Sequence, residues 1–158
     1  MDAGDLKKLL LKLGEDLGVS DLDFDERNVC ELAIGDDASV AIKAEPEDNL
    51  LILSSPLAAD LPDPLSYSLA LDIADLALGP CIDIRAGCPV IGRDPVTGIV
   101  VLYQICTASR LRQESIFDIF SNFVNLRFAA AEKLARNEGF DSGAEISGLP
   151  QDDKSLLV

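Results

Sequence analysis

The chain has 158 residues, the length of one domain, and its 48% hydrophobic against 26% charged residues exclude a disordered acidic segment. Its formal charge of −15, from 28 acidic against 13 basic residues, opposes phosphate backbones and anionic headgroups, which sets nucleic acid and membrane surfaces aside as partners. There is no histidine, which removes Ser-His and Cys-His catalysis and every His-ligated metal site.

Residues 5–18 carry Leu6, Leu9, Leu10, Leu13 and Leu17 at helical spacing, with Lys7, Lys8, Lys12, Glu15 and Asp16 on other faces. They predict an amphipathic helix ending at Gly18, and the lysines break any run long enough to span a membrane. No small-residue cleavage site follows, so a cytoplasmic protein is expected. The acidic stretch 20–28 reads as a connector. Asp21, Asp23 and Asp25 have the opening spacing of a calcium loop, but its glycine position is Glu26 and its closing carboxylate position is Leu32, so no metal is expected there.

Three strand signals follow at 29–34, 38–44 and 50–54, separated by short Gly/Asp and Pro/Asn turns that imply an antiparallel meander. In the middle strand Val40 and Ile42 alternate with Ser39, Ala41 and Lys43, which gives one buried and one partly wet face. Asp63 as N-cap and Pro64 at the first turn open a second helix, which Gly79-Pro80 stops. Its two apolar stripes, Leu65/Leu69/Ile73/Leu76 and Leu71/Ala74/Leu78, call for two burial partners, one of them a second subunit.

The segment 81–87 has no definite reading. A hairpin turning at 94–98 joins Val90-Ile91 to residues 99–106. Because Ile99-Val100-Val101-Leu102-Tyr103 does not alternate, that strand is expected to be the most central one, covered on both faces. A long helix spans 112–138, with Phe117, Phe120, Val124, Phe128, Ala131 and Leu134 on a stripe read as core and widened by Ile116, Ile119, Phe123 and Leu126. The fold class is therefore α+β: helix, three-stranded meander, helix, two-stranded hairpin, long C-terminal helix. Residues 1–139 form the domain, and 140–158 a flexible tail in which Leu156, Leu157 and Val158 alone invite capture.

No phosphate-binding loop, dinucleotide fingerprint or GxSxG elbow is present. Cys30, Cys81, Cys88 and Cys106 contain no CxxC pair and read as reduced thiols. No catalytic residue, cofactor or metal is assigned.

The order of elements, with Val29-Cys30-Glu31-Leu32-Ala33-Ile34, Leu50-Leu51-Ile52-Leu53-Ser54-Ser55-Pro56, Asp94-Pro95-Val96-Thr97-Gly98 and Ile116-Phe117-Asp118-Ile119-Phe120, resembles the type III secretion chaperones typified by the Tir chaperone. The resemblance runs from Leu6 to about Arg136, although Ala77-Leu78-Gly79-Pro80 stands where the family commonly carries an asparagine. It implies a cytoplasmic homodimer, without ATP or catalysis, that holds an extended N-terminal segment of a secreted effector and keeps it export-competent. The secretion ATPase or export gate is a further partner in that picture. The effector surface is then expected on Leu6, Leu9, Leu10, Leu13, Leu17, Leu32, Ile34, Val40 and Ile42, shared between core and groove. The dimer interface is expected on Leu71, Ala74, Leu78, Val101 and Tyr103. Two other classes fit an acidic domain: an immunity or anti-activator module that neutralises a folded basic partner, and an enzyme using carboxylates alone.

Overall fold

In the computed structural model, residues 3–36, 38–58, 87, 89–93, 97 and 99–138 are described. Helix α1 (Ala3–Leu17) leads into strands β1 (Val29–Ile34), β2 (Ala38–Glu45) and β3 (Leu50–Ala58). Strands β4 (Val90–Arg93) and β5 (Val100–Thr107) follow, then a short helix α2 (Ala108–Gln113) and the long helix α3 (Ile116–Glu138). The second helix expected from Pro64 onward, with Leu71, Ala74 and Leu78, lies outside the described residues, as do Cys81, Cys88, most of the 94–98 turn and the tail from 140.

The five strands form one sheet in the order β1-β2-β3-β5-β4, with every neighbouring pair antiparallel. β3 is therefore the central strand and β5 its neighbour, which corrects the placement of 99–106 at the centre. Burial along β5 also alternates: Val100, Leu102, Gln104 and Cys106 are buried, Val101 and Tyr103 are half-buried and Ile105 is exposed. An apolar run without alternation marks a strand whose second face is apolar, and within this chain that face stays partly open.

One face of the sheet carries the core. Leu6, Leu10 and Leu13 of α1 and Ile116, Ile119, Phe120 and Phe123 of α3 pack with Val40, Ile42, Leu51, Leu53 and Leu102 in one buried cluster. α3 lies against both β3 and α1, so the described residues form two layers, helices on sheet. Among the described residues two polar side chains are enclosed, and each has a backbone acceptor: Ser55 Oγ donates to the Ser39 carbonyl at 2.6 Å and Gln104 Nε2 to that of Gly87 at 2.9 Å.

β3 runs past Ser54, where the sequence ended it, through Pro56 to Ala58, and its pairing with β5 shifts register between Pro56 and Ala58. An irregular ladder is where a strand accommodates a residue lacking an N–H. The expected continuous helix over 112–138 is broken at Glu114-Ser115. Ser115 restarts it, its hydroxyl accepting from the Phe117 N–H at 3.2 Å and its carbonyl from the Ile119 N–H at 3.1 Å. Phe128, read as core, is 45% exposed, with the Arg127 guanidinium 5.1 Å from its ring centre. The buried line of α3 instead runs through Phe123, Ala130 and Leu134.

The 20–28 connector is tied at several points. Leu22 is buried against the core, Lys7 Nζ meets Asp23 Oδ2 at 2.7 Å, and Asp25 Oδ1 accepts from the N–H groups of Arg27 and Val29 at 2.8 Å. The hydrogen bond from Lys7 lowers the pKa of Asp23, and that from the Val29 N–H lowers the pKa of Asp25. Asp23 and Asp25, two of the three carboxylates at calcium-loop spacing, thus serve the local backbone, Asp23 Oδ1 accepting from the Phe24 N–H at 2.9 Å. Burial pushes the Cys106 thiol up to about 11 and raises that of Cys30, so both free thiols stay protonated at neutral pH. No helix among the described residues is long and apolar enough to cross a membrane.

Gly87 occupies a tight corner. Its φ is +72°, a Cβ there would collide with the Ile105 carbonyl oxygen, and its own carbonyl accepts from Gln104 Nε2 and from an Arg110 guanidinium N–H at 3.0 Å. Gly87→Ala combines the left-handed penalty with a backbone clash that loosens this clamp, at a cost of about 2–4 kcal/mol. A fall in the urea midpoint at unchanged slope is the expected result.

Candidate functional site

The sheet has an open edge at β1. In an antiparallel ladder, residues alternate between pairs that exchange both hydrogen bonds and pairs that exchange none. The Ala44 N–H donates to the Asn28 carbonyl at 2.8 Å, and the register from Val29↔Lys43 to Ile34↔Ala38 carries that phase along the strand. Cys30, Leu32 and Ile34 therefore bond to β2, while the N–H and C=O groups of Val29, Glu31 and Ala33 face outward. Val29 is already occupied: its N–H donates to Asp25 Oδ1 and its carbonyl accepts from the Asp25 N–H at 2.8 Å. Glu31 and Ala33 remain as an unpaired edge among the described residues.

Beside this edge lies a groove of about 420 Å³. Leu17 and Val19 close one end, Leu32, Ile34 and Gly35 form the strand side, and Phe117, Phe120, Val124, Ser121 and Asn125 of α3 form the opposite wall. Gly18, at φ +69°, ends α1 and turns the chain so that Val19 stands there 42% exposed. The walls are chiefly apolar, and the polar groups are the Ser121 and Asn125 side chains and backbone. With no titratable side chain among its lining residues, the groove suits apolar side chains and hydrogen-bonding backbone.

The nine residues expected at the effector surface divide sharply. Leu6, Leu10, Leu13, Val40 and Ile42 are at most 2% exposed and belong to the core, because they face the layer between helices and sheet. Leu17, Leu32 and Ile34 line the groove. Leu9 lines a different depression beside α2. The α3 wall was missed: Phe117, Phe120 and Val124 lay on a stripe read wholly as core. The available signal was the width of that stripe, since Phe117 and Val124 flank the buried line and remain half-buried. Of the expected dimer residues, Val101 and Tyr103 lie on the outer face of β5. There Ile105 pairs with Ile52, Tyr103 pairs with Val90, and Ile105 and Val90 are 40% and 38% exposed.

The sequence model of the Tir chaperone protein (CesT) family matches residues 8–131. Several solved structures share the fold. The ExsC-ExsE complex superposes with a TM-score of 0.60 at 22% identity, covering 86% of this chain and 96% of the other. The HopA1-SchA chaperone-effector complex gives 0.63 at 20% identity, over 86% and 98% of the two chains. The ExoT-SpcS complex from Pseudomonas aeruginosa gives 0.55 at 19% identity, over 82% and 96%. No curated protein sequence matches the chain.

Proposed function

Because the chain belongs to the Tir chaperone protein (CesT) family, we propose that it is a type III secretion chaperone that holds an extended segment of a secreted effector on the β1 edge and in the adjoining groove. One observation carries this reading: unpaired backbone groups at Glu31 and Ala33 run beside an apolar groove shared by α1, β1 and α3. A segment added to β1 takes its main-chain hydrogen bonds from these two residues, and its alternate side chains enter the groove. Such binding needs an unfolded client and neither a nucleotide nor catalysis. Two of the similar structures hold a chaperone with its effector or a heterodimeric complex from the secretion system, which supports an effector as the partner. A neutraliser of a folded basic protein would have no use for a strand edge beside an apolar groove.

The protein acts in the cytoplasm, where effectors await export, and as a homodimer. The dimer reading rests on the apolar outer face of β3, β5 and β4, where Ile52, Val90, Val101, Tyr103 and Ile105 remain partly open. Light scattering on a sizing column at micromolar concentration gives twice the chain mass if this holds, and the chain mass if it does not.

Val124 is the residue for testing the groove, being half-buried on its α3 wall. Val124→Asp leaves the chain folded by circular dichroism and places a charge where effector side chains enter. Desolvating that charge costs several kcal/mol, enough to abolish a micromolar interaction. The clients are identified by co-purification with the native chain, and each client's N-terminal segment is then titrated calorimetrically. Undiminished binding by the folded variant would place the client elsewhere.

A further inference from the structure

A second depression, of about 420 Å³, lies between the first three turns of α1 and the short helix α2, and it shares no residue with the β1 groove. Leu9 and the buried Leu111 form its floor, and Lys8, Lys12, Arg112 and Asp5 its rim. In a chain with more than twice as many acids as bases, three cations against one carboxylate is a local reversal of sign. The ion pairing sharpens the contrast. Lys7, Arg27, Lys43 and Arg110 each meet a carboxylate within 4 Å, and Lys8 reaches Asp5 at 3.7 Å. Lys12 and Arg112, both on this rim, have no carboxylate partner among the described residues, a condition shared away from the rim by Arg127.

We infer that this depression is a docking site for an acidic peptide segment of a protein partner, one that seats a leucine-sized side chain on Leu9 and Leu111 between carboxylates held by Lys12 and Arg112. The net charge does not forbid this. At physiological ionic strength the Debye length is about 8 Å, so the distant carboxylates are screened while charges on the rim act at contact. Arg112 offers a planar fork to a carboxylate and Lys12 a mobile point charge, a pairing that tolerates more than one acidic sequence. The site recognises a segment opposite in charge to anything the rest of this acidic surface attracts, so it gives the chain a second partner, or a second segment of one partner, beside the groove.

The probe is a fluorescein-labelled acetyl-Asp-Glu-Leu-Leu-Glu-Asp peptide titrated with the full chain, read by polarisation at about 0.15 M salt. The control is its Asn-Gln-Leu-Leu-Gln-Asn isostere. Saturable binding of the acidic peptide, with the isostere at least about ten-fold weaker, is the expected result. Lys12→Glu/Arg112→Glu removes that preference, and the milder Lys12→Gln/Arg112→Gln weakens binding about ten-fold in a chain that keeps its circular dichroism. Equal affinity for the two peptides overturns the inference, and so does acidic binding indifferent to both double variants. An unlabelled peptide of residues 150–158 of this chain that competes as tightly as the probe would assign the site to the chain's own tail and overturn the partner reading. Lys12 and Arg112 do not line the β1 groove, so the response to their substitution is independent of effector binding there.

Discussion

Leu13→Asp abolishes the cooperative thermal transition, whereas Leu9→Asp leaves a folded chain. Leu13 is fully enclosed between α1, the sheet and α3, so truncating it alone would cost about 2–5 kcal/mol through lost transfer energy and a residual cavity. An aspartate there adds the desolvation of a carboxylate with no cation beside it, several kcal/mol more. The sum reaches the total stability of a domain, about 5–15 kcal/mol. Leu9 sits four residues earlier and is only partly buried, with Lys8 and Lys12 sharing its depression. A carboxylate at position 9 can reach solvent and one of those lysines, and the loss is about 1 kcal/mol of apolar contact. Far-ultraviolet circular dichroism during heating separates the two variants. A folded Leu13→Asp would contradict the packing of α1 described here, and an unfolded Leu9→Asp would put Leu9 in the core.

Ala33→Pro is expected to remove effector binding while sparing the fold. The Ala33 N–H points away from β2, so a proline there removes no bond of the β1-β2 ladder, and edge strands accept proline when its missing donor faces outward. An incoming strand loses that donor and meets the pyrrolidine ring, a loss of about 2 kcal/mol or more, roughly thirty-fold in affinity. Leu32→Pro is the matched control. Its N–H bonds across to Val40, so the substitution breaks the ladder and destabilises the sheet whether or not a client is present. Calorimetric titration with the client segment, paired with urea denaturation, reads both effects. Equal affinities for Ala33→Pro and the parent chain would mean that the client does not extend the sheet.

Much of the fold is legible from local pattern. The leucine spacing of α1, the alternation of Val40 and Ile42 in β2 and the Pro/Gly turns set elements to within a few residues, because each reflects one period or one backbone requirement. What local pattern cannot carry is who pairs with whom. β5 inserts between β3 and β4, and an apolar run such as Val100-Val101-Leu102-Tyr103 looks alike whether its second face meets its own chain or another. The break at Ser115 was hidden because the residues around it suit a helix, and a single hydroxyl cap decides the matter. The groove was only half legible. Leu17, Leu32 and Ile34 stood out as apolar residues near an edge, but the wall of Phe117, Phe120 and Val124 comes from a helix about a hundred residues away in sequence. Likewise, which leucines of α1 are core follows from the rotation of the helix on the sheet, which puts Leu6, Leu10 and Leu13 inward and leaves Leu9 at the margin.

Amide hydrogen exchange at Glu31 and Ala33, with and without a bound client segment, tests the central claim most directly. In the free chain these two amides face outward and exchange much faster than those of Cys30 and Leu32, which bond to β2. Addition of the client as a sixth strand slows Glu31 and Ala33 toward their neighbours. A client that binds while both amides exchange as in the free chain would contradict the strand-addition account.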